Sequence, residues 1–477
     1  MDTSKTNPAG LALAGILCVW GYLALPQCMA GEVAGRIKTG LKPGAKHMGR
    51  TITVGSEPYA GNTNAAIQRA IDDAAAAGGG VVIVPAGTYM MHDALHLRSG
   101  VRVVGRKGAV LKKVPSVSSP VADYLGYGFY EFTVKEPEKF RVGMGVHLLD
   151  RNAGGFYTTV ATIVARKGEL FFIDRMLNHD YLPRAGARVV SVYPLLEGYK
   201  IHDAAVEGLI LDGNYPKETF RLNGCRGGGV FLLQSRDIEI KNIEVRNYNG
   251  DAISFQQCID VVVERCYLHH NTGHGLHPGS GSVRYVMRRV RSVHNGGCGI
   301  YYCLRTTHSI LEDCELLDNG RAGISIGERD THHLIRKNRI RGNGRNGVLF
   351  RRPQRRGGNH VVIQANVIGP NCTRIRNRAA GYEILIPAGL RDVHVDGNTI
   401  EPGANKAARV DAGCADIHFT NNTIAGAPQQ PTHFDAPAGT VSFQAAESLP
   451  AVGPAALPLD GARHLAVPEL RPWSEPR

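Results

Sequence analysis

The chain has 477 residues, with 55 Lys and Arg against 42 Asp and Glu, a formal net charge of +13. Its 43% apolar content is too high for an intrinsically disordered chain, and 58 glycines with 7% aromatics suit a turn-rich all-β protein. No paired CxxC spacing among its ten cysteines suggests a zinc ribbon or finger.

Residues 1–30 read as a signal peptide: an apolar stretch from Leu11 to Leu25, then Pro26 and the small-residue junction Cys28-Met29-Ala30, with cleavage near Ala30. The expected location is secreted or periplasmic. No later segment is long and apolar enough to span a bilayer, so no membrane span is expected after its removal. Asn62 to Asp72 forms an amphipathic helix behind a polar cap, and Gly78-Gly79-Gly80 then turns into a buried strand, Val81 to Val84. This segment, Asn62 to Tyr89, resembles the N-terminal cap of the pectate-lyase-like superfamily, in which a helix shields the open end of a solenoid. Gly100 to Gly105 and Val206 to Asn214 fit further coils of that superfamily. The period is broken over residues 120–195, where Phe140 to Gly145, Thr158 to Val164 and Glu169 to Ile173 read as an inserted antiparallel β-subdomain.

From Val230 onward the chain repeats. Glycine-led segments begin their first strand at Val230, Ile253, Leu276, Ile300, Ile324 and Val348, at intervals of 23, 23, 24, 24 and 24 residues. A constant short period with three strands per unit is the mark of a solenoid, here a right-handed parallel β-helix over residues 196–425, preceded by cap and first coils at 45–119. Asn271, Asn295, Asn319, Asn343 and Asn371 form one expected ladder, and Asn338, Asn366, Asn398 and Asn422 another. Each side chain would hydrogen-bond its equivalent about 4.8 Å away. Cys266 and Cys314 fall on equivalent inward positions two coils apart and read as buried fillers. Beyond Gly426, nine prolines predict an extended, partly disordered tail.

Charge points to the partner. Between Arg284 and Arg378 there are 18 arginines against 6 carboxylates, which suits a polyanion. Outside the cell that means an acidic polysaccharide, and no nucleic-acid partner is expected; oligomeric state is not legible. Outward positions on the first strands are Phe231, Ser254, His277, Tyr301, Ser325 and Leu349, with Asp251, His274 and Cys298 just upstream. Arg305, His308, Glu328, Arg329, Asp330 and Arg351 follow downstream. A coil needs no such titratable cluster for stability, so this face is the expected site.

Two motifs carry finer resemblances. Gly250-Asp251-Ala252 followed by Gly273-His274-Gly275 is similar to the polygalacturonases, and would make Asp251 the general acid and His274 its support. Ala252 stands where that family has a second aspartate, however, and the RIK triplet is absent near Ile300. Arg351 to Gly358 satisfies the RxPxxRxG pattern of pectate lyases, which implies Arg351 as base and Arg356 as carboxylate clamp. A metal-free alternative takes His277 and Tyr301 as base and acid, with Arg305, Arg329 and His308 binding substrate. No cofactor is required by the sequence; Glu328 and Asp330 are candidate Ca2+ ligands. The expected activity is cleavage of a uronate-containing polysaccharide by β-elimination. A glycoside hydrolase, a C5-epimerase and a non-catalytic glycan-binding protein remain open on the same scaffold.

Overall fold

The structure is a computed structural model. It describes residues 49–425 apart from 153–156, 218–219, 353–356, 376–380 and 404, together with the strands Phe434–Asp435 and Val441–Gln444. The expected signal peptide and most of the proline-rich tail lie outside the described residues. Those two strands pair onto preceding ones at Ala408 and Ile417, so the winding continues past residue 426.

Three parallel sheets of 13, 11 and 11 strands run the length of the coil. One turn consists of Ile300–Tyr301, Thr307–Glu312 and Glu315–Leu317, one strand in each sheet. The first strands stack in the register the period predicts, Val230 on Ile253, Ile253 on Leu276, Leu276 on Ile300, Ile300 on Ile324 and Ile324 on Val348. Because side chains alternate across a strand, the inward residues of all three sheets fill one continuous apolar core, and outward residues form straight columns along the surface.

Each corner needs a residue in the left-handed region. Asp260, Arg284, His308 and His332 occupy that place on four successive coils, with φ of 55°, 54°, 55° and 59°. Both asparagine ladders form. Asn319 Oδ1 accepts from the Asn295 backbone N–H at 3.1 Å and the Asn319 amide donates to Asn343 Oδ1 at 3.0 Å, while Asn338 donates in the same way to Asn366 at 2.9 Å. Cys266 and Cys314 are buried, as expected of fillers.

The helix Asn64–Ala76 lays Ile67, Ala70, Ile71 and Ala74 over the open end of the coil. The insertion is a six-stranded antiparallel sheet with its own aromatic core, in which Phe132 and Phe171 stack at 5.1 Å. Across it the coil is unbroken: Leu95 pairs with Leu196, Val103 with Val206 and Leu111 with Leu211. Helix, insertion and first-strand sheet enclose a cleft of about 1180 Å³.

Candidate functional site

The outward columns of the first-strand sheet place the central residues. Ser254 pairs in register with His277, and Tyr301 with Ser325. Asp251, His274 and Cys298 stand two residues before the first strands Ile253–Gln256, Leu276–Gly279 and Ile300–Tyr301, so they line a parallel column beside them.

Asp251 is 2% exposed and His277 4%. His277 Nδ1 lies 2.7 Å from Asp251 Oδ2, and the other carboxylate oxygen accepts the His274 backbone N–H at 2.8 Å. Burial pushes the Asp251 carboxyl up, but the flanking imidazoles of His274 and His277 outweigh it and hold it well below the usual range. Burial likewise opposes charge on His277, yet the Asp251 carboxylate at Nδ1 and the Cys303 thiol beyond it push the imidazole up to about 9. His274 is pushed down to about 4 by burial, and its Nδ1 accepts the Cys298 N–H at 2.8 Å, which fixes the neutral ring with its proton on Nε2.

Tyr301 caps this pair. Its ring stacks flat on His274 at 4.2 Å, meets His277 edge-on at 5.2 Å, and carries the Arg351 guanidinium 4.2 Å above it. Arg351 is held in turn by donating to Ser325 Oγ and to the Tyr302 carbonyl, both at 2.7 Å. Burial raises the Tyr301 phenol above its ordinary value, with Arg351 pulling the other way.

A loop covers the buried end. Gly224 passes so close that a Cβ there would lie 1.9 Å from Asp251 Oδ2. Its carbonyl accepts from Ser254 Oγ at 2.5 Å and from Gln256 at 3.4 Å. Beneath it His277 Nε2 is buried and has no hydrogen-bond partner. The expected role of His277 as base is therefore not open to a polymer in this conformation. Tyr301 and Arg351 form the accessible edge.

The other expected residues divide. Arg305 is exposed at the corner after the first strand, and its N–H donates to the Glu328 carbonyl; Arg329, half-buried, faces Glu328 at 3.4 Å. No described ion pair or hydrogen bond links either guanidinium to Asp251, His277 or Tyr301. His308 lies elsewhere, in the second sheet, where it stacks on His332 at 4.6 Å and His332 on His360 at 4.6 Å. Column counting ends at the corner, which the sequence reading overran. Arg356 lies outside the described residues.

The Ca2+ expectation for Glu328 and Asp330 fails. Asp330 is fully buried, and its oxygens accept from the Thr306 N–H and hydroxyl, both at 2.9 Å, and from the Gly327 N–H at 2.7 Å. Inward-facing oxygens taken by protein donors cannot coordinate a hydrated hard cation.

Two features escaped the sequence reading. Cys225, in the covering loop, and Cys303, at the end of its strand, bring their sulfurs to His277; the three donor atoms lie within 4.8 Å of one another. In the cleft, His96 Nε2 lies 3.2 Å from Asp93, and Arg175 is paired with the buried Glu197. Glu197 stands in the same outward column as Phe231, one rung after His96, but 34 residues separate it from Phe231 where the repeat has 23 or 24, so the period does not reveal it.

Comparisons with known proteins agree with this architecture. The right-handed β-helix region family matches residues 195–316 and 228–424, and the rhamnogalacturonase A/epimerase, pectate lyase-like family matches residues 60–125. The chain is a right-handed parallel β-helix. No curated protein sequence matches it. Among solved structures it is similar to the A-module of the Azotobacter vinelandii mannuronan C-5 epimerase AlgE6, with a TM-score of 0.53 at 18% identity over 82% of this chain and 96% of that one. For the AlgE4 A-module of the same organism the values are 0.53, 19%, 80% and 95%. An exopolygalacturonase of Thermotoga maritima is more distant, at 0.45, 13%, 84% and 97%. At these identities the chain shares a fold with the two epimerase modules; its chemistry has to be argued from its own residues.

Proposed function

We propose that the protein is an enzyme acting on an acidic, uronate-containing polysaccharide, and that it works by proton removal beside the uronate carboxyl group followed by β-elimination. The observation that carries this is the Arg351 guanidinium 4.2 Å over the Tyr301 ring at the accessible edge of a buried acid and imidazole pair. Elimination needs a group that takes the C5 proton, a cation beside the carboxylate as enolate character develops, and a proton for the departing oxygen. Tyr301 supplies the first and third in turn. As phenolate, with Arg351 offsetting part of the opposing effect of burial, it takes the C5 hydrogen; the C5–H electron pair becomes the C4–C5 double bond, the C4–O4 bond breaks, and O4 recovers the proton from the phenol. Arg351 is the cation. Exposed Tyr130 lines the cleft and offers a flat apolar face to a pyranose ring. Export, as residues 1–30 read, would bring the protein to such polymers.

Hydrolysis fits less well. An inverting hydrolase needs two carboxyl groups facing a water, whereas Asp251 is buried with both oxygens hydrogen-bonded to protein. C5-epimerisation is the second reading, favoured by the structural similarity to the two mannuronan C-5 epimerase modules. It shares the abstraction step and differs in returning the proton to C5.

The test is incubation with a panel of uronate polymers in D2O. Ultraviolet absorbance from unsaturated ends marks elimination, and deuterium at C5 without new chain ends marks epimerisation. New reducing ends without absorbance mark hydrolysis, and binding with none of these changes marks a non-catalytic protein. Tyr301→Phe should lower turnover by about 100-fold or more while polymer binding persists. Full turnover in that variant removes Tyr301 from the reaction.

A further inference from the structure

Beneath the covering loop, His277 presents a buried Nε2 with no hydrogen-bond partner among the described residues. A buried polar atom left in that state is costly, so its surroundings ask for an explanation. Those surroundings are two thiols. The donor atoms of Cys225, His277 and Cys303 lie within 4.8 Å of one another, and Cys225 is carried there by a loop anchored through the Gly224 carbonyl to Ser254 and Gln256. On the far side of the ring, Asp251 holds Nδ1 at 2.7 Å, which aims Nε2 at the sulfurs. Metal-bound histidines are oriented in this way, with a carboxylate on the other ring nitrogen.

We propose that Cys225, His277 and Cys303 form a binding site for a thiophilic divalent ion, Zn2+ by preference, with a fourth coordination position left for water. Two sulfurs and one imidazole are a donor set for zinc, and not for calcium or magnesium, which take oxygen. Charge also balances: two thiolates neutralise the ion, and Arg221, 3.9 Å from Asp251, lies beside the carboxylate that orients His277. Binding requires Nε2 unprotonated and both sulfurs as thiolates, so it releases the protons that these three groups carry. Three ligands from separate parts of the chain, none in a CxxC pair, explain why spacing alone gave no sign of it.

This site does not depend on the proposed reaction, and its test reads metal and not turnover. Purified full-length protein, reduced and freed of metal with a chelator, is titrated with Co2+ and then Zn2+. The expected result is one equivalent of Co2+ with a thiolate-to-cobalt charge-transfer band, displaced by Zn2+. Cys225→Ser and Cys303→Ser should each weaken binding about 100-fold, and Asp251→Asn about 10-fold or more. Independently of any variant, Zn2+ should protect Cys225 and Cys303, but not Cys414, from alkylation mapped by mass spectrometry. Absence of the charge-transfer band overturns the proposal. So does binding that survives both serine variants, which would place the ion elsewhere, for example on the His308 stack. A metal-free Cys225–Cys303 disulfide in the freshly isolated protein overturns it as well.

Discussion

Gly224→Ala tests how the covering loop and the buried pair depend on each other. The glycine lies outside the left-handed region, so alanine brings no backbone strain; its Cβ would, however, lie 1.9 Å from Asp251 Oδ2 and 2.3 Å from His277 Nδ1. Neither atom can retreat, because the two are bonded to each other at 2.7 Å in a buried setting. The loop must lift instead, and the bond from Ser254 Oγ to the Gly224 carbonyl, 2.5 Å long, breaks. Overpacking costs about 1–3 kcal/mol and the lost hydrogen bond about 1 more, Ser254 Oγ keeping its contact with Gln256 at 2.9 Å, so a loss of about 2–4 kcal/mol is expected. Guanidinium unfolding measures the stability, and the rate at which a thiol reagent modifies Cys225 measures the opening. An unchanged midpoint together with unchanged Cys225 reactivity would show that the loop does not close over the pair as described.

Two further perturbations address the scaffold. Asn319→Ala removes four side-chain hydrogen bonds, two accepted from Asn295 at 3.1 Å and one donated each to the Ser292 carbonyl at 2.9 Å and Asn343 at 3.0 Å. A destabilisation of about 2–5 kcal/mol is expected in chemical unfolding, and less for Asn422→Ala at the end of its ladder; equal effects would contradict a stacked ladder. His147, in the insertion, is fully enclosed without a partner for either ring nitrogen, and burial pushes it down to about 4. Between the ordinary value near 6.5 and that level the unfolded chain holds a proton the folded one lacks, so stability falls as pH drops through this window, by up to about 3 kcal/mol, and the loss levels off below it. His147→Phe should flatten that part of the profile, read as the difference in unfolding free energy from the unaltered protein at each pH. Parallel profiles would clear His147 as the source.

What could be seen from the amino acids alone followed from repetition. The first strands, both asparagine ladders and the column His277, Tyr301, Ser325 recur at fixed intervals, and a fixed interval in a coil is a fixed place on its surface. Asp251, His274 and Arg351 were found for the same reason. The misses share the opposite cause. Cys225 enters from a loop outside the period, Glu197 is displaced by a longer spacing, and His308 sits past a corner where the face changes. Asp330 follows an irregular turn at Gly327, so alternation no longer says which way a side chain points, and it points inward.

The uninterrupted pairing of Leu95 with Leu196 and Leu111 with Leu211 has a consequence for how such a molecule can diversify. The antiparallel unit leaves from one rung and rejoins at the next, so its length and outer contour can vary without shifting the register of the coil, provided the contacts of Arg175 with Glu197 and of Thr162 with Asp93 are kept. Descendants of this scaffold can exchange that wall, and with it the contour a sugar chain encounters, while every rung stays in register.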